Sequence, residues 1–262
     1  MGGGPLARDA QARAAIVRKA ADLGRKLGVG YVELRDTPHA LEGWTARDDL
    51  YATFEGPIAR AEEDNLTQIP RKQRAVVRKA FAVGFTTSVE RGTEHFFDLY
   101  AGTMLKHGTP ALPRAYFDAL LAIFGDACEI LTVHHDGQPI SSVLSFYFRG
   151  RVMPYYTGSH SKARVNGSND MMYWSVMRRA VELGCGHFDF GRSKVGTGPY
   201  NFKRNWGFEP RPIAHQYHLV KAQSLPNLNP TNPKYELFIK AWRNLPQPVA
   251  NAISPFISRS LA

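Results

Sequence analysis

Cysteine is scarce in this chain. Its 262 residues include two, Cys128 and Cys185, each in or beside an apolar stretch. Neither lies in a CxxC pair or a Cys/His cluster. That excludes a disulfide-built miniature fold and argues against a thiolate zinc site. Two buried free thiols in a reducing cytoplasm are expected. Acidic residues are outnumbered: 23 Asp and Glu face 33 Lys and Arg, for a formal charge of +10. The excess points to an anionic partner (nucleic acid, phosphorylated substrate or membrane surface), although basicity also arises without one. Long apolar runs are missing, so no segment reads as bilayer-spanning. The start, Met1-Gly-Gly-Gly-Pro, lacks an apolar signal core and reads more like an interior turn than a beginning. There is no G-x-S-x-G elbow and no Ser/His/Asp arrangement. His134, His135, His160, His187, His215 and His218 show no metal-ligand spacing, so no metal is expected.

What is present is a globular composition with clear punctuation. Residues 10–28 put Ile16, Ala20, Leu23 and Leu27 on one helical face, closed by Gly28 and Gly30. Short strands follow at 31–34 and 50–54. The pattern predicts one helix over 63–82. It carries Arg71, Lys72, Arg74, Arg78 and Lys79 without an acid among them. Arg71, Arg74 and Arg78 share a stripe there, which is either an anion surface or a solvated face. A strand at 85–90 and helices at 93–107 and 114–124 come next. Strands at 129–135, 139–148 and 152–157, joined by Asp136-Gly137 and Arg149-Gly150-Arg151, predict an antiparallel meander. A polar basic loop (158–168), a helix (169–184) and a strand (187–190) complete a mixed sheet. A strand near 213–220 precedes a proline-punctuated tail with helices at 233–244 and 247–259. Their apolar faces suit either a clasp on the domain or a membrane or partner surface.

The stretch Asp189 to Phe208 reads D-F-G-R-S-K-V-G-T-G-P-Y-N-F-K-R-N-W-G-F. A strand runs through a glycine-rich basic loop into a short helix. Arg192, Lys194, Lys203 and Arg204 supply anion contacts, and Tyr200, Phe202, Trp206 and Phe208 supply aromatic faces. Glycine lets backbone approach a ligand closely. The segment suits a phosphate-bearing partner beside an aromatic platform. Packing of Phe202 and Trp206 at i and i+4 in a core is the competing reading. Asp189, at a strand's C-terminal end, either accepts a proton, orients Arg192 or forms a structural ion pair. Tyr155, Tyr156, Asn169 and Trp174 are cleft or core candidates.

Four motifs carry a family resemblance: I-P-R-K-Q-R-A-V-V-R-K-A at 69–80, V-L-S-F-Y-F at 143–148, N-D-M-M-Y-W at 169–174 and the 189–208 stretch. The tail, N-P-T-N-P-K-Y at 229–235 and L-P-x-P-V-A-N at 245–251, adds to it. The element order resembles that of GNAT acyltransferases. The wording resembles the FemAB-related branch, most of all proteins associated with the PEP-CTERM/exosortase system of exopolysaccharide producers. The resemblance implies an α/β (α+β) GNAT-like fold, a mixed sheet flanked by helices. It also implies two tandem halves, of which the second is complete and the first truncated. The expected domains are a first-half remnant over 1–84, an acyltransferase domain over 85–225 and a helical tail over 226–262.

The same resemblance implies transfer of an aminoacyl or other acyl group to an amine of a peptidoglycan-like or exopolysaccharide precursor. The donor would be aminoacyl-tRNA or, alternatively, acyl-CoA or acyl carrier protein, with no tightly bound cofactor. A non-catalytic protein that binds an anionic envelope precursor is the other reading. The expected location is the cytoplasm, at the inner face of the membrane. Phe202-Lys203 matches the family's Phe-Lys pair, which is thought to meet the tRNA acceptor end. Lys203 also precedes Gly207 by four residues, where many GNAT enzymes carry a tyrosine acid that Tyr200 is placed to replace. The position before the central helix reads S-H-S-K-A-R-V-N-G-S-N, without the usual CoA-gripping glycine pattern. Lys203, Asp189 and Tyr200 are thus the catalytic candidates. Arg192, Lys194, Phe202, Arg204, Trp206, Tyr156 and Asn169 are the substrate or phosphate ligands. Arg71, Lys72, Arg74 and Arg78 form the anion surface.

Overall fold

The structure, a computed structural model, describes residues 3–35, 40–160, 167–225 and 233–258. Most of the polar loop at 158–168 and of the tail motif at 229–235 lies outside them. In chain order the elements are α1 (Ala10–Leu27), β1 (Tyr31–Arg35), β2 (Thr45–Arg47), β3 (Tyr51–Pro57), α2 (Glu62–Gln68), α3 (Arg71–Phe81), β4 (Thr86–Glu90), α4 (Glu94–His107) and α5 (Arg114–Phe124). The second run is β5 (Cys128–His135), β6 (Gln138–Phe148), β7 (Arg151–Ser159), α6 (Ser168–Glu182), β8 (His187–Lys194), α7 (Gly198–Asn205), β9 (Pro210–Pro212), β10 (His215–Leu219), α8 (Pro233–Arg243) and α9 (Gln247–Ser258). A mixed seven-stranded sheet has the order β4-β5-β6-β7-β8-β3-β9, and a three-stranded sheet the order β1-β10-β2.

The chain divides into two compact units. One comprises Met1–Phe54, Gly191–Arg204 and Phe208–Asn229; the other comprises Glu55–Phe190, Asn205–Gly207 and Pro230–Ala262.

In the first unit, α1 buries Val17, Ala21 and Gly24. The expected face is one residue out of phase: Ile16, Leu23 and Leu27 are exposed. The reason is close packing at Gly24, where a Cβ would collide with the Val32 side chain of β1. The helix turns its small residues inward to bring its backbone near the strand. Glu33 of β1 accepts hydrogen bonds from Arg35, His215 and Tyr217. Burial would raise its pKa, but the three donors outweigh it and hold the carboxyl below its usual range.

The second unit is built on the meander. The β5–β6 and β6–β7 pairs are antiparallel, and β7 runs parallel to β8 after the α6 crossover. Asp136 and Gly137, then Arg149 and Gly150, turn the hairpins with positive φ, as two-residue turns of this type require. The expected single helix over 63–82 is two helices, because Pro70 forces Ile69 into extended backbone (ψ 129°). One core cluster sets Phe96, Tyr100 and Ala101 of α4 against Phe117 of α5, Ile130 of β5 and Leu144 of β6. The tail helices α8 and α9 both pack on α4. Trp242 and Ala250 are buried, whereas Leu237, Val249 and Phe256 stay exposed.

Helix α4 lies on β7 at Gly158, where a Cβ would overlap the backbone of Leu99 and Tyr100. Backbone cannot yield as a side-chain tip can. Gly158→Ala is therefore expected to destabilise the second unit by about 3 kcal/mol. Urea denaturation checks this, and a loss under about 0.5 kcal/mol would show that α4 does not approach so closely.

Candidate functional site

The glycine-rich stretch forms a closed structural motif inside the first unit. β8 ends at Lys194, and Thr197 turns the chain by bonding back to the Lys194 carbonyl through its hydroxyl (2.7 Å). Gly191 and Gly196 have positive φ, and a Cβ on either would meet nothing within 4 Å. These glycines therefore serve backbone conformation rather than crowding. Helix α7 then carries Lys203 back against the strand. Its Nζ donates to the carbonyls of Gly191 and Arg192, both at 3.1 Å. The ammonium also lies 5.7 Å from the centre of the Phe54 ring.

Lys203 is 8 % exposed, so this cation is an internal one. Its carbonyl partners and the Phe54 face offset the cost of burying the charge. Around it, Arg192 stacks its guanidinium over Tyr51 (4.9 Å), and the exposed Arg204 reaches over Tyr200 (6.0 Å). Tyr200 packs edge-on to Phe54 at 5.2 Å. Lys194 and Phe202 are half-buried. Six nominated residues, Lys203, Tyr200, Arg192, Lys194, Phe202 and Arg204, thus share one strand–loop–helix segment.

The remaining candidates lie in the second unit, where Trp206, Asp189, Tyr156 and Arg74 have structural partners. Trp206 is 2 % exposed, and its indole N–H donates to Asp170 Oδ1 (3.2 Å). It is therefore not an open stacking platform, because its ring packs near Tyr173 and Phe190 and its polar edge serves a buried acid. Asp189 has a partner within its own unit. Its Oδ2 lies 3.4 Å from Arg151 Nη1, and Arg151 also bonds Glu55, which contacts His187. That is the structural ion pair among the alternatives. Tyr156 bonds Tyr116 through the two hydroxyls (3.1 Å) and packs on Tyr100 and Phe117. A bulge precedes it: Leu144 pairs with Tyr156 and Ser145 with Pro154, leaving Tyr155 extra. Burial, and then the Tyr116 hydroxyl, raise the Tyr156 pKa.

On α3, Arg71, Lys72 and Arg78 are exposed. Arg74 instead donates to the carbonyls of Thr67 and Ile69, two of the orphan acceptors at the end of α2. The anion stripe therefore loses its middle member to a helix cap.

The residue that sequence reading missed is Asp170. It sits in the first turn of α6, beside half-buried Asn169. Its Oδ1 accepts from Gln73 of α3 and from Trp206. Burial pushes its pKa up to about 6, against the hydrogen bonds from Trp206, its own backbone and Gln73. The signal was in the quoted N-D-M-M-Y-W, where an acid precedes a hydrophobic helix at a position a negative charge prefers. A separate cavity of about 140 Å³, lined by Asn65, Trp174, Met177 and Arg178 among others, involves no nominated ligand besides Trp174. Burial pushes the Cys128 thiol up to about 12 and raises Cys185 as well, which makes both inert at neutral pH.

With this geometry in view, the comparisons identify the class. Residues 65–204 match the acetyltransferase (GNAT) domain profile. The chain belongs to the GNAT acetyltransferase family. Its fold is similar to that of FemX, at 14 % identity and a TM-score of 0.62, over 87 % of this chain and 79 % of that one. It is also similar to a C-terminal domain (DUF2156) assigned to a lysylphosphatidylglycerol synthetase of Agrobacterium fabrum. There the identity is 15 % and the TM-score 0.59, over 80 % of this chain and 74 % of that one. A Bacteroides thetaiotaomicron protein of unknown function aligns with a TM-score of 0.60 at 14 % identity, over 79 % of this chain and 75 % of that one. No curated protein matches the sequence.

Asp170 makes stability pH-dependent in a defined sense. Its folded pKa, about 6, lies above its ordinary value of 3.8. Its relative stabilisation is therefore full below about pH 4 and is lost as pH rises through 6. Asp170→Asn removes that dependence. Measured by denaturation from pH 4 to 8, the wild type should lose about 3 kcal/mol relative to the variant across this range. Parallel pH profiles would show that the carboxylate is not buried as described.

Proposed function

We propose that the chain is an N-acyltransferase of FemAB type. It would move an aminoacyl group from aminoacyl-tRNA to an amine of a cell-envelope precursor, peptidoglycan-like or exopolysaccharide. The observation that carries this reading is the 191–204 segment, where an internal lysine fixes a glycine-rich loop that bears Arg192, Lys194 and Arg204. GNAT membership supports acyl transfer in general. The fold likeness to FemX and to a domain assigned to lysylphosphatidylglycerol synthetase favours aminoacyl transfer within that class.

The buried carboxylate in the first turn of α6 supports a donor other than CoA. At neutral pH most Asp170 side chains are ionised, given a pKa of about 6. An internal anion already occupies the positive end of the helix that would otherwise attract a pyrophosphate. The segment 161–166, just before that helix, lies outside the described residues.

The chemistry asks little of the protein beyond placement, because the tRNA ester is already activated. The acceptor nitrogen attacks the ester carbonyl carbon and the C–N bond forms. The C–O bond to the ribose then breaks, and the amine proton ends on the released ribose hydroxyl. Arg192, Lys194 and Arg204 would neutralise phosphates of the acceptor end, and Phe202 would offer a ring for its terminal base. Tyr200 would carry the proton to the leaving oxygen. Lys203 acts in this reading as a positioning residue: it holds the Gly191 and Arg192 carbonyls, and so the loop that meets the donor. Among the described residues no helix is long and apolar enough to cross a membrane. Peripheral work at the inner membrane face fits the exposed Leu237 and Phe256 of the tail helices.

The test is to offer charged tRNA, acyl-CoA and acyl carrier protein in parallel, with candidate amines followed by mass. Transfer from charged tRNA alone, with tRNA binding that weakens steeply with salt, is expected. Transfer only from a thioester would replace the donor, and no transfer from any of them would favour a binding protein. Arg204→Ala, at an exposed position, should raise KM for the tRNA donor about tenfold with an unchanged melting temperature. Lys203→Ala should abolish transfer and also cost about 2 kcal/mol of stability by orphaning two carbonyls. Wild-type turnover in Lys203→Ala would remove the segment from the mechanism.

A further inference from the structure

Glu90, His95 and His134 converge on one point in the second unit, although they are 5 and 39 residues apart in sequence. Glu90 ends β4, His95 stands in the first turn of α4, and His134 lies near the end of β5. The β4–β5 register pairs Thr86 with His134 and Glu90 with Ile130. Glu90 and His134 are therefore on one sheet face, and their long side chains reach toward each other across Ser88. Glu90 Oε1 lies 3.1 Å from His95 Nδ1 and 3.4 Å from His134 Nε2. The three candidate ligand atoms all fall within 4.8 Å of one another. The two imidazole rings stand nearly perpendicular, at 83°, with centroids 6.0 Å apart.

A hydrogen-bond cluster explains this arrangement poorly. His134 Nε2 is buried and has no hydrogen-bond partner: it is near the carboxylate but not aligned with it. A buried ring nitrogen without a partner is costly. A cation at the point of convergence would satisfy it. Four-coordinate zinc, with bonds of about 2.0–2.2 Å, sets its ligand atoms about 3.3 Å apart, close to the two distances above.

The surroundings hold the triad in place. The Ser88 hydroxyl donates to Glu90 Oε1 at 3.3 Å, as outer-shell donors do for metal-bound carboxylates. The turn between Glu90 and His95 is fixed by Thr93, which is fully buried, bonds Asp118 and accepts from Arg114. Arg114 in turn bonds Glu94. The His95 side chain is 53 % exposed, which gives an ion a way in and leaves a coordination position for water.

We infer that Glu90, His95 and His134 form a divalent transition-metal site of the two-histidine, one-carboxylate type, suited to Zn²⁺, Co²⁺, Ni²⁺ or Fe²⁺ rather than to Mg²⁺ or Ca²⁺. The inference is independent of the proposed acyl transfer. Bound metal would tie the start of α4 to the β4–β5 pair.

Tag-free protein, stripped with chelator and dialysed, is titrated with Co²⁺ and followed by visible absorption. One equivalent is expected to bind, with the intense d–d bands of a four- or five-coordinate ion. Zn²⁺ should displace it, and the melting temperature should rise on loading. Binding should weaken in acid, because the ligands must be deprotonated to hold the ion. His95→Ala, at an exposed position, should melt like the wild type without metal and bind Co²⁺ more than about tenfold more weakly, since even outer-shell losses cost that much. His134→Ala should do the same and keeps the test open if His95 is replaceable by water. No uptake, a pale six-coordinate spectrum, or affinity unchanged in both variants overturns the site.

Discussion

The second unit depends on a carboxylate that would rather be in water. Asp170 is buried, and Gln73 and the Trp206 indole both donate to the same oxygen, with its own backbone as a further donor. The three residues come from α3, from α6 and from the turn after α7, so one polar point links elements that are separate in sequence. The arrangement is asymmetric in energy. Intact, it offsets the desolvation of one acid; with any member removed, it leaves buried polar atoms without partners. This also explains why α6, the crossover that makes β8 parallel to β7, begins where it does. Gly167 precedes it with φ 75° and offers no side-chain cap. The negative charge that the first turn prefers comes from inside the helix instead.

Lysine 203 has the same logic with the opposite sign. A flexible loop with several glycines has high conformational entropy, and ordering it for a ligand would cost affinity. An ammonium that bonds the carbonyls of Gly191 and Arg192 removes much of that freedom before any ligand arrives. Such a residue would matter to binding without touching a substrate. In the proposed mechanism Arg192, Lys194 and Arg204 would make the donor contacts, and Lys203 would preorganise the loop that carries them.

Much of the architecture was legible because it follows from period and punctuation. The meander was readable from alternation and from Asp136-Gly137 and Arg149-Gly150, whose positive φ the turns require. The helices over 94–107 and 114–124 were readable from their apolar spacing. What failed was tertiary. The phase of α1 is set by Gly24 against Val32, a contact that no local pattern encodes. The expected helix over 63–82 breaks at Pro70, which holds Ile69 in extended backbone. β2, three residues long, carried no periodic signal. At the site, environment was harder to read than residue type. The sequence leaves the burial of Lys203 and Trp206 open, because burial of a cation or of an indole N–H depends on partners elsewhere: two carbonyls for one, a distant carboxylate for the other.

The Glu90, His95 and His134 cluster shows the same limit more sharply. Metal sites are readable when the ligands share an element, since spacing along one helix or hairpin then maps to distance. Here the carboxylate and one imidazole are brought together by a strand register and a four-residue offset, and the second imidazole by the angle at which α4 leaves its turn. Each of these is a product of packing. The histidine singled out by burial, His134, is next in sequence to His135, which packs on Phe85 instead. Adjacent strand residues face opposite sides of the sheet, so a count of neighbouring histidines mixes one from each face. Which of the two can serve as a ligand follows from the pleat, and the partners it meets follow from the fold that places Glu90 and His95 on its side.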